Sequence, residues 1–256
     1  MDLTALNDMN NRVASRHVAQ EFMMIHFRTD PDILRKYLPE PFVLNHSGEA
    51  LMWLADSHFN DEAIAARSPF VYPNLNYMRE VVLVAPCKME DMPGVYMTNV
   101  WQDRDWCYAR GPVLGYNTEL AEVHLTRFPG GMRTFYQPEP GKKVKGVLRL
   151  GGQELASAWM ELEGEASGPP WPEFLKVFGR RKVEDLLDPE VPLINDVLLE
   201  YHDEETLGKF WRGTPHMRLG GFMKDWPVEL IEGYFTSVAF STAGSVILKD
   251  LSDGKK

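Results

Sequence analysis

Cysteine is scarce in this sequence: Cys87 and Cys107 are the only two. That is too few for a disulfide framework, and they lack the CxxC spacing of a zinc or redox site, so both read as reduced, mostly buried thiols. Long apolar runs are missing as well. None approaches the roughly 18–20 residues that cross a bilayer, and the opening MDLTALNDMNNR lacks the basic-then-apolar order of a secretory signal. The expected location is the cytoplasm, with no membrane partner. Basic charge is in short supply, with 27 Lys and Arg against 37 Asp and Glu and a net charge of -10. Such a surface repels nucleic acid and anionic lipid, so neither is an expected partner.

The standard catalytic signatures are absent too. No GxGxxG, GxxxxGK[ST], HExxH or GxSxG occurs, which removes the best signals for nucleotide, phosphate-loop, zincin and nucleophile-elbow chemistry. The seven histidines form no HxH or i,i+4 pair, whereas metal sites usually show at least one close pair. The expectation is no metal and no cofactor. His26 and His124 lie in apolar strands and read as hydrogen-bonded core or cavity histidines.

What the sequence does have is length and apolar content: 256 residues, 44% of them hydrophobic, enough for one large core. Residues 1–16 read as a flexible arm and 17–256 as a single domain. A boundary in the Gly/Pro-rich stretch 164–172 is the alternative, though a long surface loop explains that stretch equally well. The run Gln20–Thr29 reads as a strand. Asp30 then caps a short helix with Pro31 in its first turn, and Pro39 ends it. Strands are expected over 50–59, 77–86, 94–101, 119–128, 144–150, 153–163, 195–202, 208–219 and 230–249, with helices near 103–110, 171–178 and 180–187. Strands do not alternate with long helices, which argues against a doubly wound parallel sheet. The reading is a mainly β (α+β) domain, a mostly antiparallel barrel or sandwich with a few outer helices.

The segment 21–43, EFMMIHFRTDPDILRKYLPEPFV, resembles the opening of the acetoacetate decarboxylase family, where a strand leads into an RTD turn, a short helix and a Pro-Glu-Pro stop. Tyr77–Glu80, the Gly-Val-Tyr-Met run at 94–97 and Arg110-Gly111…Gly115-Tyr116 follow in that family's order and at similar spacing. The resemblance implies an antiparallel β cone with the active cavity inside, and a homo-oligomer. It also implies a departure. Where the family carries its pair of lysines, one forming a Schiff base, this chain has Thr118 and Glu119. Gln20 stands where the family has a basic residue, and Trp53 falls near a family carboxylate, while Glu80 matches a family glutamate.

Only an amine can form the iminium that accepts the electron pair left by CO2, and Thr118 cannot. The expected activity is therefore a cofactor-independent carbon–carbon lyase, a decarboxylase of a keto acid or hydroxyaryl acid, whose substrate carries its own electron sink. The alternatives are a hydratase or isomerase acting through an enol, and a non-catalytic binding cone. A carboxyl enclosed by apolar walls exchanges protons near neutral pH, so Glu119 and Glu80 are the acid–base candidates, with Tyr116 orienting a carbonyl or phenol oxygen. Thr118, Asn117, Arg110, Gln20, Trp53 and Met97 are the expected substrate contacts. Arg110 or Arg79 would hold the carboxylate of a small organic acid.

Overall fold

The computed structural model of the chain describes residues 16–61, 76–128, 137–169, 171, 173–184 and 192–251. Residues 1–15 of the expected arm lie outside them. The strands are β1 (Arg16–Arg28), β2 (Val43–Leu44), β3 (Glu49–Asp61), β4 (Tyr77–Met89), β5 (Met92–Gln102), β6 (Thr118–Leu120), β7 (Glu122–Leu125), β8 (Lys143–Leu150), β9 (Gln153–Ala166), β10 (Val177–Val183), β11 (Ile194–Leu207), β12 (Phe210–Leu219) and β13 (Glu229–Asp250). Two α-helices are described, α1 (Pro31–Arg35) and α2 (Asp105–Leu114), with one 3-10 turn at Gly221–Met223. No described helix is long and apolar enough to cross a membrane.

The strands form one large sheet in which β1, β3, β4, β5, β10, β11 and β13 follow one another and β13 pairs back onto β1, closing a ring. Every pairing in the ring is antiparallel except β5 with β10. From β13 the sheet continues through β12, β9, β8 and β7 as an outer layer. Successive strand side chains point to opposite faces, which gives the ring two apolar surfaces. Phe22, Met24, Leu51, Trp53, Ala55, Val82, Val100, Tyr234 and Val238 gather on the inner face. Met23, Ile25, Phe27, Met52, Leu54, Val81, Leu83 and Phe235 face the outer layer, where Val123, Val144, Leu148, Ala158 and Met160 cover them. Strands buried on both faces read as continuous apolar runs rather than as alternating ones, which is the pattern of QEFMMIHF and VVLVAP in β1 and β4.

The expected cap and helix at Asp30 are present, with the Asp32 backbone N–H donating to Asp30 Oδ1 at 2.9 Å. The expected helix at 103–110 is α2, which runs on to Leu114. The helices expected at 171–178 and 180–187 are not there. Residues 173–175 form a turn, and Val177–Val183 is strand β10, held between β5 and β11. Residues 185–187 of the second lie outside the described residues. Pairing on both sides and full burial of Phe178 override the local pattern. The expected strand 119–128 is broken at Ala121, because the chain changes neighbours there: β6 pairs with β5 and β7 with β8. His124 is exposed, not a core or cavity histidine.

Candidate active site

The inner face positions the site through register. Phe22 lies opposite Ala55, Ala55 opposite Glu80, and Glu80 opposite Gln102, so one row crosses four strands. The next row holds Met24, Trp53, Val82 and Val100. Glu80 is 6% exposed and Gln102 7%. Gln102 Nε2 donates to Glu80 Oε2 at 3.2 Å and reaches Met78 Sδ at 3.7 Å, while its Oε1 is buried with no partner. Trp53 Nε1 is likewise buried and unpartnered. Burial among these apolar side chains disfavours the charged carboxylate and pushes the Glu80 pKa up to about 7. The Gln102 hydrogen bond opposes the rise, and the charges of Glu200 and Asp103 add to it.

Tyr116 enters the same space from α2. The helix ends at Gly115, whose φ of 82 and whose close approach to Arg180 exclude a side chain; a Cβ there would stand 2.3 Å from the Arg180 nitrogen. The turn that follows sets Tyr116 deep in the molecule, against the inner cluster and with part of its surface still accessible. Its hydroxyl donates to Glu200 Oε2 at 2.8 Å. Burial, followed by the charge of Glu200, holds this phenol pKa well above its ordinary value, so it keeps its proton.

The other expected residues divide by face. Gln20 is buried on the inner face and donates from Nε2 to Ser57 Oγ at 2.7 Å. Met97 packs, half-buried, against the inner cluster. Thr118 uses its hydroxyl to donate to the Tyr108 carbonyl at 3.1 Å and lies against Gly111 of α2. Asn117 is exposed. Glu119 is exposed as well and does not join Glu80: it accepts the Trp101 indole N–H at 3.0 Å, and Trp101 belongs to the core on the opposite face. Arg79 also turns away from the inner face, donating from Nε to Asp56 Oδ2 at 3.1 Å. The Arg110 side chain lies outside the described ones.

Sequence reading missed Gln102, Glu200 and Glu49. A glutamate inside the apolar run DVLLEY was the available signal for Glu200. Glu49 Oε2 lies 3.2 Å from Nε2 of the buried His26 and also accepts the Trp171 indole N–H at 3.3 Å. Burial holds the His26 pKa down, so a neutral imidazole N–H donates to the carboxylate there. Among the described residues no group of three His, Cys, Asp or Glu could hold a metal ion.

A closed β ring enclosing a buried carboxyl–amide pair and a tyrosine–carboxylate pair defines a barrel built to handle a small molecule. The chain belongs to the acetoacetate decarboxylase family, whose model matches residues 4–251. Among solved structures it is similar to an acetoacetate decarboxylase-like enzyme from Sphingomonas wittichii RW1, at 20% identity over 93% of this chain and 94% of that one, with a TM-score of 0.83. The enduracididine biosynthesis enzyme MppR, complexed with the condensation product of pyruvate and imidazole 4-carboxaldehyde, is 19% identical over 93% of this chain and 90% of its own, at a TM-score of 0.79. The acetoacetate decarboxylase of Legionella pneumophila is 18% identical over 93% and 88%, at 0.72. No curated protein matches the sequence. Family membership supports an enzyme that processes a small molecule; at these identities the structural likeness shows the fold.

Proposed function

We propose that the protein is a cofactor-independent acid–base enzyme that acts on a carbonyl compound through its enol, as a hydratase, an isomerase or a carbon–carbon lyase. The observation that carries this reading is the buried Glu80, poised near neutrality beside Gln102 on the inner face. As a carboxylate, Glu80 takes a proton from the carbon next to the carbonyl. The electron pair moves into the carbonyl, giving the enol in its enolate form, and the protonated Glu80 returns the proton to carbon in the product. Tyr116 keeps its hydroxyl on Glu200 and fixes that carboxylate in place.

An imine route lacks its amine. None of the described lysines is buried; Lys88 and Lys142 are half-buried and the others exposed. Loss of CO2 from a carboxylate substrate is the weaker reading, because Arg79, one of its two expected anchors, turns outward and the inner row offers carboxyl and amide groups instead. The test is α-hydrogen exchange. Ketones incubated with the protein in D2O should exchange at the adjacent carbon, as read by NMR, and Glu80→Gln should slow that exchange by about a hundred- to ten-thousand-fold. Release of CO2 from keto acids without any such exchange would remove this reading.

A further inference from the structure

We propose that the inner site takes an uncharged, apolar carbonyl compound, with the carbonyl oxygen on Trp53 Nε1–H, and discriminates against the corresponding carboxylate. This rests on the acid–base reading of Glu80 and names the substrate class for it. Trp53 is 3% exposed and its indole N–H has no partner. A buried donor without an acceptor is rare, since it gives up its hydrogen bonds to water for nothing in return. Trp53 faces Val82 across β3 and β4, and Glu80 is two residues from Val82 on the same face. The donor and the acid–base group are thus diagonal neighbours, about 7–8 Å apart at the backbone. A carbonyl oxygen on the indole would set its adjacent carbon toward Glu80. A second orphan on this face, Gln102 Oε1, is an acceptor suited to a hydroxyl elsewhere on the ligand.

The walls and the charges favour the same ligand. Phe22 meets Trp53 edge-on at 5.8 Å and Phe174 does so at 6.5 Å, which gives the indole aromatic surroundings. Glu80, Glu200 and Glu49 bring carboxyl groups to this space. Among the described side chains register puts three cations on this face: Arg181, buried and paired with Asp196, Arg28, 47% exposed at the end of β1 and held by Glu49 and Glu229, and Arg212, exposed opposite Tyr234. The buried cation is already engaged by Asp196, so a substrate carboxylate would meet the like charge of these glutamates, whereas a neutral ketone or ester would not.

The experiment uses methyl benzoylformate and benzoylformate, which differ mainly in charge and have no hydrogen on the carbon next to the ketone. Binding is thereby separated from turnover. Isothermal titration of the full chain at pH 7.5 should show the ester binding at least tenfold tighter than the acid, and Trp53→Phe should weaken ester binding by about three- to tenfold. In the wild-type protein the Trp53 indole N–H resonance should move on adding the ester. Equal or tighter binding of benzoylformate, no binding of either compound, or an unmoved indole resonance would each overturn the proposal. The wild-type comparison holds even if Trp53→Phe fails to fold. Ester binding together with undiminished α-hydrogen exchange in Glu80→Gln would instead remove the role of Glu80 and leave the substrate class standing.

Discussion

Tyr116 Oη donates to Glu200 Oε2 at 2.8 Å, joining the residue after α2 to β11. The charge of Glu200 also contributes to the raised pKa of Glu80. Replacing Tyr116 by Phe deletes the donor and leaves a carboxylate in a largely enclosed site. A charge-assisted hydrogen bond contributes about 2 kcal/mol, so Tm should fall by roughly 4–8 °C in a chain of this size. A melting temperature equal to that of the wild type would show that this hydrogen bond contributes nothing to stability.

Glu80 itself should leave a signature in stability. Its folded pKa of about 7 stands above the ordinary carboxyl value of 4.5, so between those pH values the native state holds a proton that the unfolded state has released. Stability therefore falls as pH rises from about 4.5 to 7, by roughly 3 kcal/mol at most. Glu80→Gln should lack this slope. Urea titrations at pH 5 and pH 8 should find the variant close to wild type at the lower pH and more stable at the higher. A wild-type curve that stays flat across this window would contradict the raised pKa.

Glu119 should behave as a surface group. Its carboxylate accepts the indole N–H of Trp101, which is 1% exposed. Glu119→Ala should cost about 1 kcal/mol of stability, the net value of one such hydrogen bond. Turnover measured beside Glu80→Gln should stay within a few-fold of wild type. A thousand-fold loss of kcat with an intact circular-dichroism spectrum would return Glu119 to the proton-transfer role expected from the sequence.

Borohydride reduction in the presence of a ketone should give no covalent adduct. The imine needs a lysine able to reach the inner face, and none of the described lysines is buried. Intact-protein mass spectrometry should show the unmodified mass and full residual activity. A single substrate-mass addition mapped to one lysine would establish imine chemistry.

The ring was largely legible in the sequence because strands such as β1 and β4 carry apolar residues on both faces and are cut by Gly, Pro and Asp at their ends. The cap at Asp30 could be read for the same local reasons. Helices were wrongly expected at 171–178 and over the described part, 180–184, of 180–187, because burial of Phe178 and pairing with β5 and β11 are long-range effects that WPEFLKVF does not display. The site was legible in part. Glu80, Tyr116, Trp53 and Gln20 could be named, yet which face Glu119 takes depends on β6 pairing beside β5, with Glu119 in register with Trp101. Periodicity in a three-residue strand carries no such information. Glu200 and Gln102 were missed because their importance comes from partners distant in sequence, Tyr116 and Glu80, that the fold sets beside them.

Two apolar faces also leave the strands poorly aligned by greasiness alone: sliding β4 past β5 by one residue would exchange one oily surface for another. The polar side chains of the interior break this degeneracy. Gln20 meets Ser57 and Glu80 meets Gln102, each pair directly opposite on adjoining strands. A slipped chain would strand all four without mates. These four polar groups thus act as alignment pegs, and a library that converts them to aliphatic residues should lose the uniqueness of the fold before it loses compactness.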